Sequence, residues 1–131
     1  MKIIKSLFDY VTSSSLKSTS EKNVNEQWPQ INAYHEIIAK TLKNKEVNIK
    51  EIKSNSKILV ALADDLSVES MPEEFRNPKM IETLLSLKKN TLLVHELVEN
   101  KASDVEIKAA TDILYSIFHK LISLCITEKE S

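Results

Sequence analysis

Three histidines and one cysteine are the side chains of this sequence best suited to hold a ligand. His35 falls within the series Trp28, Ile31, His35, Ile38 and Leu42, spaced by three and four, so in a helix its imidazole lies inside the apolar stripe. A ring placed there must satisfy its nitrogens from a neighbouring polar side chain, from water or from a bound ligand. His119 projects to the flank of a later apolar helix, beside Tyr115 and Ile122. Imidazoles that face each other across a helical interior suit haem iron, zinc or copper, which makes His35 and His119 the candidate cofactor-binding pair.

Cys125 is the candidate third metal ligand. It lies six residues beyond His119, about 9 Å further along a continuous helix and roughly 120° round from it, so one straight helix cannot aim both at one small ion. The thiol joins His35 or the N-terminal residues only where the last turn frays, and its other reading is a buried apolar group. His95 flanks its own stripe near the end of a third helix and reads as a C-terminal-turn histidine beside the negative end of the helix dipole. Catalytic chemistry has little to work with. No Ser, His and acid arrangement or paired-carboxylate motif stands out, and the helix-borne Glu-x-x-His of di-iron proteins is missing, because Glu36 follows His35 directly and His95 has no Glu three residues before it. The expectation is a protein that is not an enzyme.

Four helices are needed to position these residues. Trp28 and Pro29 open the first, with Asn44 as its stop; the second runs from about Val47 to Leu66, its stripe interrupted only by Ser56. The connection from Ser67 to Asn77 contains Pro72, and Met71 and Phe75 are expected to tuck back over one end of the domain. Asn77 and Pro78 read as the N-cap and first turn of the third helix, which ends at Asn100. Its buried line is Met80, Leu84, Leu87, Thr91, Val94 and Val98, broadened by Ile81, Leu85 and Leu92. Ser103 with Glu106 forms a capping box that starts the fourth helix, through Ile107, Ala110, Leu114, Ile117, Phe118, Leu121 and Leu124. Short connections make neighbours antiparallel, so the fold expected is all-α, an up-down-up-down four-helix bundle over residues 26–131. There the start of the first helix lies beside the end of the fourth, which puts His35 and His119 at nearly one height.

Composition points the same way. A chain of 131 residues suits one domain, and it contains no glycine. That absence disfavours phosphate-cradling loops, dinucleotide fingerprints and hairpin-rich β architectures. The 18 Lys and Arg nearly cancel the 19 Asp and Glu, so nucleic acid is not an expected partner. Residues 1–25 form an N-terminal arm and Ser-rich linker: Ile3, Ile4, Leu7, Phe8 and Val11 would make one apolar face, followed by the polar run from Thr12 to Asn25. Lys5 and Asp9 interrupt that apolar stretch before it reaches signal-peptide length, and no signal peptide or transmembrane segment is read.

With the helices placed, the chain resembles the soluble four-helix cytochromes of the b and c-prime kinds over about residues 26 to 126. The carrying features are Phe75 and Arg76 after a Pro-containing connection, a long third helix, an Ala-rich start to the fourth, and the Phe118 and His119 pair near its end. The resemblance implies a haem ligand at His119. There is no Cys-x-x-Cys-His for covalent haem, and His35 stands in for the methionine that the b kind uses in helix one. The chain is also similar to small secreted bacterial helical proteins of unsettled function that combine Trp-Pro, aromatic-His and a late His with Cys six residues on, here Trp28 and Pro29, Tyr34 and His35, and His119 and Cys125. The functional expectation is a binding protein holding haem or a transition metal between helices one and four; the alternative is a structural or interaction module that meets a protein partner or a second copy.

Overall fold

The computed structural model describes residues 27–130, with side chains through Ile126, so the expectations for the N-terminal arm lie outside the described residues. Those residues are mostly helical: α1 (Pro29–Lys40), α2 (Ile49–Asp64), α3 (Pro78–Glu99) and α4 (Asp104–Glu130), with a two-stranded hairpin, β1 (Leu42–Lys43) and β2 (Glu46–Val47), between α1 and α2. The all-α expectation holds. α3 packs chiefly against α4 and α2, and α2 against α1.

Helix ends follow local chemistry. Asn77 Oδ1 accepts from the Met80 amide at 2.9 Å, and Pro78 occupies the first turn of α3. At α4 the capping box is formed in both directions, since Ser103 Oγ accepts from the Glu106 amide at 3.2 Å while Glu106 Oε1 accepts from the Ser103 amide at 3.4 Å. α3 closes with paired bonds from the Ala102 amide to the Leu97 carbonyl and from the Lys101 amide to the Val98 carbonyl. This termination places Lys101 in the left-handed region at φ 57°, where glycine is the usual occupant.

The first connection differs from expectation. α1 ends at Lys40 with Thr41 as its C-cap, Asn44 sits in a turn, and Val47 pairs with Leu42 in the hairpin, so α2 starts at Ile49 under an Asn48 cap. Asn44 and Lys45 both have positive φ, 54° and 66°, the backbone that a two-residue hairpin requires and that Asn tolerates best after Gly. A glycine-free chain thus makes a short hairpin by placing Asn and Lys in the left-handed region.

Trp28, Ile31, Tyr34, Leu59, Met80, Leu87, Leu114, Phe118 and Leu121 are among the buried side chains of one core, which Met71 and Phe75 join as expected. The turn at Glu73–Phe75 packs on α4. A knot of serines holds the same connection: Ser67 and Ser70 bond reciprocally, and Ser70 Oγ also accepts from Trp28 Nε1 at 3.3 Å. The face of α3 is narrower than expected. Leu85 and Leu92 remain 56% and 47% exposed, because they project roughly 110–130° from the middle of the line Met80, Leu84, Leu87, Thr91 that faces the core. Asp104–Ile126 is long and apolar enough, by length and composition, to cross a membrane, and half of its most apolar window is buried within the molecule.

Candidate functional site

Of the residues singled out for ligand binding, His35 lies where α1 meets α4, its ring packed on that of Phe118. That ring is fully buried, 5.4 Å from Tyr34 and 5.6 Å from His35, tilted to both. Such tilted aromatic contacts add to the burial itself. His35 is buried, and desolvation, opposed in part by the neighbouring Glu36 carboxylate, lowers its pKa. His119 follows Phe118 on α4, half-buried, with its pKa also lowered by burial. Both imidazoles are therefore favoured in the neutral form that binds metals. The His119 Nδ1 is buried and has no hydrogen-bond partner.

Two tyrosines lock this seam. Thr91 Oγ1 donates to the Leu87 carbonyl at 2.7 Å, so the Tyr34 hydroxyl, 2.7 Å from the same oxygen, is the donor to it. Thr41 Oγ1 likewise donates to the Ile38 carbonyl, which leaves the Tyr115 hydroxyl to donate to Thr41, at its Oγ1 and at its carbonyl, 3.3 Å away. Burial holds both phenols above their ordinary range, so they stay protonated donors. α1 is thereby tied to α3 through Tyr34 and to α4 through Thr41.

Cys125 is fully buried, and burial pushes its thiol up to about 12. α4 runs unbroken past it to Glu130, so the fraying that would swing the thiol toward His35 is not seen. A thiol held protonated in apolar surroundings is a poor metal ligand, because the thiolate is the binding form. Among the described residues no three His, Cys, Asp or Glu side chains form a group able to hold a metal ion.

His95 has a different place from the one its position suggested. Its Nδ1 lies 2.9 Å from Ser56 Oγ across the α2 and α3 packing, and Ser56 is buried. The serine that interrupts the α2 stripe and the histidine on the flank of α3 are partners. Each stood out in the sequence as a polar residue on or beside an apolar face, but nothing local to either helix paired them. The tyrosine locks left a fainter signal, since Thr41 stands just past the end of α1 and Tyr115 on the edge of the α4 stripe.

Comparison with protein-family models, with curated proteins and with solved structures gives no match for this chain.

Proposed function

We propose that this chain is a non-enzymatic binding bundle that holds a transition-metal ion through His35 and His119, where α1 meets α4. The observation that carries the reading is the buried, unpartnered Nδ1 of His119 one residue from the ring that packs on His35. A buried ring nitrogen without a partner costs about 1–3 kcal/mol, which a coordinate bond would offset. The arrangement we infer is the antiparallel up-down-up-down bundle. Tyr34 against Phe118 and Thr41 against Tyr115 run in opposite senses along α1 and α4, and short connections join α1 to α2 and α3 to α4. In that arrangement α4 is a core helix of a soluble domain.

The packing favours an ion over haem, because Phe118 fills the space that a macrocycle between α1 and α4 would need. Water completes the shell of an ion held by two imidazoles. Titration of the purified full chain with Zn²⁺ and Cu²⁺, followed by ring-nitrogen NMR of His119, tests this. Saturable binding at one ion per chain, abolished by His119→Gln and by His35→Gln with the fold retained, is the expected result. Binding unchanged in both variants rejects the site, and a saturable Soret shift with haem in place of metal uptake would restore the cytochrome-like reading.

A second reading, a structural or protein-interaction module, is favoured by Leu93 on α3 and Ile113 on α4, which remain 44% and 55% exposed on two helices that pack together.

A further inference from the structure

Independently of the histidines, α3 carries an apolar stripe, interrupted by Lys88, that leaves leucines exposed on the described fold. Leu85 and Leu92 are more than two-fifths exposed and Ile81 is half-buried. At positions 81, 85 and 92 they project to one side of the helix and extend along it for roughly 16 Å. The stripe starts one turn inside α3, just past the loop whose Ser70 accepts from Trp28 Nε1. The chain therefore enters the described fold at the end of the molecule where this stripe begins.

We propose that residues 3–11 dock on this stripe as an amphipathic helix, in the same molecule. Ile3, Ile4, Leu7, Phe8 and Val11 share one face when helical, and that face is roughly 12 Å long, close to the length of the stripe. The 14 residues from Thr12 to Asn25 separate it from the start of the domain. Extended, they span up to roughly 46 Å, so reach imposes no strain, and a tether of this kind holds its two ends at high effective concentration. Docking removes from water two sets of apolar side chains that each lack cover alone.

The test is NMR of the full chain with Phe8→Asp, a substitution outside the described residues. Amide shifts that change at Ile81, Leu85 and Leu92, by the same amount over a tenfold dilution, are the expected result. In the reciprocal variant, Leu85→Asp, the amides of residues 3–11 shift and trypsin cleaves at Lys5 several-fold faster. Shifts confined to residues 1–26 overturn the proposal. So does a perturbation of α3 that vanishes on dilution, which assigns the stripe to a second copy, or one that arises only when anionic phospholipid vesicles are added, which assigns the arm to a membrane surface.

Discussion

His95 and His119 occupy similar positions, each on the flank of a long apolar helix, yet their surroundings have opposite completeness. The α2 and α3 packing supplies His95 with Ser56 at 2.9 Å, whereas the Nδ1 of His119 on α4 is buried with no hydrogen-bond partner. A buried imidazole with an internal partner is finished by the fold. One without is finished only by something from outside, and for that reason the functional reading attaches to His119 rather than to His95.

The largest blow to the contrast is Phe118→Ala. It removes the ring that touches both Tyr34 and His35, and urea denaturation should show a loss of about 3–5 kcal/mol; a loss below about 1 kcal/mol would mean the seam is not the packed centre described above. Next come the two histidines' own environments, where the signs differ. Ser56→Ala strips His95 of its partner and should cost about 1 kcal/mol, while His119→Leu, measured without metal, removes an unpaired polar atom and should be neutral or stabilising by up to about 1 kcal/mol. Equal losses from the two would erase the distinction.

Acid titration sharpens the comparison further. The folded-state pKa values of His35 and His119 are lowered by burial. The unfolded chain therefore takes up protons first as pH falls, and the stability present above about 6.5 declines below it until the folded-state values are passed. His119→Leu should flatten part of that decline when unfolding is followed from pH 7.5 to 4.5. At the alkaline side the raised Cys125 thiol acts oppositely, with stability kept below about 9 and falling as pH climbs toward about 12, a fall that Cys125→Ala should reduce. The smallest effect lies far from either seam: Lys101→Gly should stabilise by about 0.5–1 kcal/mol in thermal melts, since glycine adopts that φ without the Cβ clash.

Sequence periodicity and cap chemistry carried most of the fold. The Asn77 and Ser103 caps, the Pro78 first turn and the burial of Met71 and Phe75 were legible because each rests on interactions among residues close along the chain. The hairpin at Asn44 and Lys45 was not, because two positive φ values without glycine leave no compositional trace. Leu85 and Leu92 misled for a different reason. Hydropathy reports what a side chain would gain from burial, while its actual cover depends on which neighbours lie on that side of the helix. As for the site, sequence placed His35 on a buried face and His119 on a flank. It could not foresee that Phe118 would fill the space beside His35, or that Ser56 would claim His95, since both are contacts between residues distant along the chain.

The brevity of α1 has a kinetic consequence. α2, α3 and α4 are long helices that pack on sequence neighbours, contacts that form with little loop-closure entropy. α1 spans only 12 residues, and its hold on α4 comes from rings and one threonine more than seventy positions away. Its amides are therefore expected to exchange with deuterium before those of α3 and α4, through a partial opening that leaves the rest of the molecule intact. Such an opening exposes His35 and the ring of Phe118 that packs on it, without global unfolding.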